Sequence, residues 1–245
     1  IAARKAIALD DSLPFAHTAL GIVRLFGYDI PGGAREIERG LALDPNSSDA
    51  HAYLGKAYEW MERPAEELAE AQRGLTAEPL SPAAHAELGR ALYFARRYDD
   101  ALAQLRNVAS LHPPLRRTAR YVGEVFLTKG QWADAIDVLQ PDASRSPQSM
   151  ALLGYALARS GARAEAEQVL AELRAGLPTG SGSAFAVAEV YAGLRDYDQA
   201  FVWLDRSFDD FSLWPAIMGP LFDDLRADPR FERVRRRLAL PAPRS

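Results

Sequence analysis

The chain has 245 residues, 48% of them hydrophobic and 25% charged, a balance that excludes intrinsic disorder and indicates a soluble folded protein. Its net charge of −4 supplies no overall positive field to attract nucleic acid or an anionic membrane. Cysteine is absent, which removes disulfides and thiolate chemistry, and no apolar run approaches the roughly 20 residues needed to span a bilayer.

In chain order, the first element is an amphipathic helix over residues 1–9, entered without a methionine at Ile1-Ala2-Ala3. It reads as the second helix of a truncated unit, and the chain as a fragment of a longer protein. A repeat follows. His17, His51 and His85 stand 34 residues apart, and each is followed by a Leu-Gly pair: Leu20-Gly21, Leu54-Gly55 and Leu88-Gly89. The next steps reach Val122-Gly123, then, after a three-residue deletion, Leu153-Gly154, and finally Val187-Ala188. Twelve positions after the glycine a small residue recurs in most repeats, at Ala101, Ala135, Ala166 and Ala200. Pro45, Pro79, Pro113 and Pro178 close repeats at one phase.

Such self-similarity predicts stacked helix pairs, because one pair alone cannot bury its apolar faces. A residue without a side chain lets the first helix (A) approach the second (B), and alanine is expected to meet it there. Proline ends helix B because it cannot donate a hydrogen bond. The pairs are predicted at 14–27/32–43, 48–61/64–77, 82–95/98–111, 114–128/131–140, 146–159/162–176 and 181–194/197–209. Pro141 is expected to cut the fourth B helix short at the deletion. Beyond about residue 210 the repeat gives way to a cap, 211–245. Phe211, Leu213, Trp214, Leu221, Phe222 and Phe231 are there to cover the last pair. Asp228-Pro229 reads as the start of a basic helix over 229–239.

With Leu-Gly in helix A, Ala opening helix B and Pro at its end, the sequence resembles the tetratricopeptide repeat family over nearly its whole length. "RYDDALAQL" at 97–105 and "DYDQAFVWL" at 196–204 are similar to that family's second-helix openings. Two departures mark the first repeats: Gly33 and Glu67 stand where alanine is usual. The resemblance implies an all-α, right-handed α-solenoid of about six antiparallel helix pairs, a non-catalytic protein-binding module. The "W…DPRF" ending resembles the C-termini of bacterial multidomain signalling proteins, in which such arrays follow a nucleotide cyclase, a serine/threonine kinase or a winged-helix domain. A cytoplasmic location follows, or a periplasmic one if the parent spans a membrane. Only Lys5, Lys56 and Lys129 of the 29 basic residues are lysines, a bias associated with high-GC bacterial genomes.

In this family helix A lines a concave binding surface. The resemblance places Phe15, Ile22 and Phe26 there in the first repeat, and Tyr53, Lys56, Glu59 and Trp60 in the second. The third repeat adds Glu87, Arg90, Tyr93 and Phe94, and the fourth Arg117, Arg120, Tyr121 and Glu124. Aromatics interleaved with basic residues suit a peptide or protein segment carrying acidic and apolar side chains. The clamp of lysine or arginine with asparagine found in chaperone-tail receptors is missing, since its first-helix places hold Thr18, Ile22, Ala52 and Lys56.

Other chemistry finds no footing. Histidines one repeat apart are separated by at least a helix-packing distance of roughly 8–10 Å, too far to share a zinc ion, so they are expected to pack between repeats. Adjacent acidic pairs such as Glu66/Glu67 and Asp99/Asp100 point about 100° apart on a helix and do not face one substrate. "TGSGS" at 179–183 lacks a P-loop lysine and reads as a linker. No catalytic residue, metal or cofactor is expected. Self-association as a scaffold for an absent effector domain is the alternative function. RNA binding ranks last, given the acidic balance.

Overall fold

A computed structural model describes residues 2–111, 116–177, 183–238 and 240, with side-chain positions for all of these except 109–111 and 116. Every regular element among them is helical. Ala2–Leu9 (α1) precedes the pairs Pro14–Phe26 with Ile30–Leu43 (α2, α3), Ser48–Trp60 with Pro64–Ala77 (α4, α5) and Pro82–Phe94 with Tyr98–Leu111 (α6, α7). Arg116–Thr128 with Trp132–Ala143 (α8, α9), Pro147–Ser160 with Arg163–Gly176 (α10, α11) and Ala184–Gly193 with Tyr197–Asp209 (α12, α13) continue the series. Two 3₁₀ turns, Pro215–Met218 and Pro220–Phe222, lead to Asp223–Arg226 (α14) and Phe231–Arg237 (α15).

Local chemistry sets these boundaries. Ser47, Ser81, Ser146 and Ser183 cap A helices, each accepting a hydrogen bond from the backbone N–H three residues on. Every A–B turn then passes through one left-handed residue, at Tyr28, Glu62, Arg96, Gly130, Gly161 and Arg195. Their spacing repeats the 34-residue step and its three-residue deletion, so the turn geometry is itself part of the repeat.

The expected alanines are all interior: Ala101, Ala135, Ala166 and Ala200 are fully buried. At two of the crossings the atom nearest the glycine lies further along helix B. A Cβ on Gly21 would lie 2.5 Å from Ile37 Cγ1, and one on Gly123 would lie 2.6 Å from Leu139 Cδ2. The close approach is to a branched aliphatic one turn further along helix B.

Pro141 does not end its helix. The α9 helix runs on to Ala143, with Pro141 in its last turn. The deletion shows instead as a helix of 12 residues where α3, α5, α7 and α11 have 14. Pro113, Pro178 and residues 179–182 of the glycine-rich stretch lie outside the described residues.

The chain forms two compact units, residues 1–97 with 232–245, and residues 98–231. In the segment after α13 the aromatic and aliphatic residues separate by exposure. Leu213, Phe222 and Phe231 are buried, whereas Phe211 stays 68% exposed. Phe222 sits against Tyr155 of α10 and Phe185 of α12, with ring centroids 6.3 Å apart in both cases. The turn carrying it also contacts α8. The segment therefore lies across A helices of the second unit, where aromatic partners are available to Phe222. Arg230 fastens its end by bonding Asp228 and Asp198 and lying over the Phe201 ring. The basic helix starts at Phe231, not 229, because Asp228 Oδ1 accepts the Arg230 N–H and closes a turn first. Its expected end, at residue 239, is outside the described residues.

Candidate functional site

One register position of helix A, the residue after the crossing glycine, organises the A-helix face. It holds Ile22, Lys56 and Arg90 in the first unit and Glu124, Tyr155 and Glu189 in the second. Charge at this position is neutralised from inside the chain. Arg90 is buried and grips both carboxylate oxygens of Glu59, one at 2.6 Å, while Lys56 pairs with Glu87 at 3.3 Å.

Glu67 joins this cluster from α5. It stands where the family has alanine, is 4% exposed, and leaves Oε2 without a hydrogen-bond partner. It borders a small water-sized cavity, about 10 Å³, together with Gly55, Lys56, Glu87 and Arg90. Burial, reinforced by the Glu59 carboxylate, pushes its pKa well above the usual glutamate range. With Glu67 protonated, two carboxylates balance two cations, the arrangement a buried cluster requires.

The second unit repeats the device. Glu124 accepts from Arg120 at 2.9 Å, and the same guanidinium lies over the Tyr121 ring. Glu189 is buried beside them with Oε2 unpartnered, and burial followed by the Glu124 charge raises it well above the ordinary value. Sequence reasoning does not single out Glu189, although it directly follows Ala188 and the repeat register points to it. Burial also pushes Tyr155, in the same row, up to about 12.

The expected groove residues separate by exposure. Trp60, Tyr93, Phe94 and Tyr121 are interior, as are Arg90 and Glu124. Trp60 is edge-on to Tyr28 of the preceding turn, at 6.2 Å. Ile22, Tyr53, Lys56 and Arg120 are half-buried, and Arg117 is exposed. In α2, by contrast, Phe15 is 83% and Phe26 46% exposed. Phe15, Ile22 and Phe26 follow at i, i+7 and i+11, so they form one stripe along the helix. Phe26 meets Tyr53 edge-on at 6.5 Å, and the Lys56 ammonium lies 5.3 Å from the Tyr53 ring. The stripe thereby continues onto α4.

The histidines act in packing. His17 and His51 each bridge a backbone carbonyl, of Asp11 or Pro45, and a helix-B carboxylate, of Glu36 or Glu70. His85 Nε2 bonds the Pro79 carbonyl at 2.9 Å. Among the described residues no group of three or more His, Cys, Asp or Glu is placed to hold a metal ion, and no helix is long and apolar enough to cross a membrane.

No family model matches the chain, and no curated protein matches it. Solved structures do. The chain is similar to PilF of Pseudomonas aeruginosa at 20% identity and a TM-score of 0.56, covering 89% of this chain and 98% of that one. It is similar to PilW, a type IV pilus biogenesis factor, at 15% identity and a TM-score of 0.59, covering 90% and 97%. In the Cut9–Hcn1 tetramer of the APC/C, the likeness has 16% identity and a TM-score of 0.61, over 96% of this chain and 44% of that chain. The fold is a tetratricopeptide-type α-solenoid.

Proposed function

We propose that the first unit binds an apolar segment of a partner protein along α2 and the start of α4, without catalysis. The observation that carries this is the stripe of exposed Phe15 and Phe26 with half-buried Ile22 between them, continued by half-buried Tyr53. The same register positions as Phe26 in the next two repeats, Trp60 and Phe94, are buried. Lys56 and Arg90 already hold Glu87 and Glu59, so the ligand's apolar side chains, more than any acidic ones, supply the recognition. The "W…DPRF" ending supports reading this module as the sensory or regulatory part of a larger bacterial signalling protein.

Selection of a phage-displayed random peptide library on the immobilised chain tests the site. Peptides with apolar residues at helical or alternating spacing should be enriched, and Phe26→Glu should weaken their binding at least tenfold. Val202→Glu, at a partly exposed position in the second unit, should leave it unchanged. Failure to enrich any peptide sensitive to Phe26→Glu would sink the reading. Exposed Leu9, Leu13 and Val23 elsewhere in the first unit favour self-association as a second reading, and light scattering across a concentration series distinguishes the two.

A further inference from the structure

The C-terminal helix α15 has a one-sided pattern. Val234 and Arg235 within it, and Leu238 just past its end, are buried, while Glu232, Arg233, Arg236 and Arg237 face solvent. This is the anchor spacing of an amphipathic helix laid on a surface. From residue 232 onward the segment belongs to the first unit, and its buried guanidinium, Arg235, bonds the carboxylate of Glu62, 173 residues away in sequence.

Glu62 occupies the left-handed position of the α4–α5 turn. At the equivalent position of the preceding turn, Tyr28 lies edge-on to Trp60. A buried arginine is stabilised where a carboxylate answers it, and Glu62 supplies one here.

We propose that the first unit carries, at Glu62, a docking seat for a short amphipathic helix with an arginine between apolar anchors, and that α15 fills this seat in cis. The seat is distinct from the Phe15–Phe26 stripe, and its occupancy is a contact that an outside helix of the same pattern competes for.

The test uses the full chain with Glu62→Arg, with Arg235→Glu, and with both. Arginine already stands at the equivalent turn position as Arg96 and Arg195, so Glu62→Arg leaves the backbone undisturbed. Amide hydrogen exchange of residues 232–238 should accelerate at least tenfold in each single variant, with α4–α7 unchanged, and should return toward wild type in the double variant. A fluorescein-labelled peptide of residues 229–245 should bind the Arg235→Glu chain, whose own helix is released. It should bind wild type at least tenfold more weakly, and the Glu62→Arg chain more weakly still. Unaltered exchange in both single variants, or equal peptide binding by all three chains, would overturn the proposal.

Discussion

Gly21 and Gly55 hold the same register position in consecutive repeats, yet their surroundings differ sharply. A Cβ on Gly21 would lie 2.7 Å from the Gly33 carbonyl oxygen as well as 2.5 Å from Ile37, and a backbone atom cannot yield. At Gly55 the nearest atoms are 3.9 Å away, on Glu67. The longer side chain at 67 holds the second crossing open, whereas Gly33 lets the first close fully. Gly21→Ala should therefore destabilise by about 1–3 kcal/mol through overpacking. Gly55→Ala should stabilise by about 0.5–1 kcal/mol, since alanine is the better helix former and finds room. Denaturant unfolding of the two variants checks both signs, and a shared sign would refute this account of the crossings.

The A–B turn shows how an element can repeat in geometry without repeating in sequence. Its left-handed position is glycine in only two of six repeats, at Gly130 and Gly161. The others hold Tyr28, Glu62, Arg96 and Arg195, so no residue signature revealed it, although the period fixed its place. Nothing lies within 4 Å of a Cβ at Gly161, which makes that site a pure test of backbone strain. Gly161→Ala should cost about 1 kcal/mol, read as a lower denaturant midpoint with an unchanged slope. The helix pairs themselves were legible to within a few residues, because apolar spacing, the Leu-Gly pairs and prolines at the repeat ends all point the same way. Pro141 misled because a proline inside a helical pattern can kink a helix as well as end it, and α9 carries it in its last turn.

At the scale of the whole molecule the candidate site was only partly legible. The register named the A-helix positions, but not which of them a neighbouring turn covers, as Tyr28 covers Trp60. Nor does any local pattern disclose that Arg235 meets Glu62, since such a pairing is settled by the path of the chain. The register did flag Glu67 as foreign, and both units turn out to bury one carboxylate with an unpartnered oxygen, Glu67 in the first and Glu189 in the second. This gives the molecule a distinctive dependence on pH. Burial raises both groups above the ordinary value of 4.5, so the folded chain binds protons there that the unfolded chain releases. Stability from these two groups is therefore fullest below pH 4.5 and declines as pH rises above it toward the raised values. Glutamine matches protonated glutamate in shape and cannot ionise. The Glu67→Gln/Glu189→Gln chain should match wild type near pH 4 and exceed it in thermal midpoint at about pH 8. Carboxylates of the opposite kind, such as Asp99 beside Lys129 and Asp228 beside Arg230, act equally in both proteins and cancel from the comparison. A difference between the two melting profiles that stays constant from about pH 4 to pH 8 would show that neither carboxyl is held protonated by its burial.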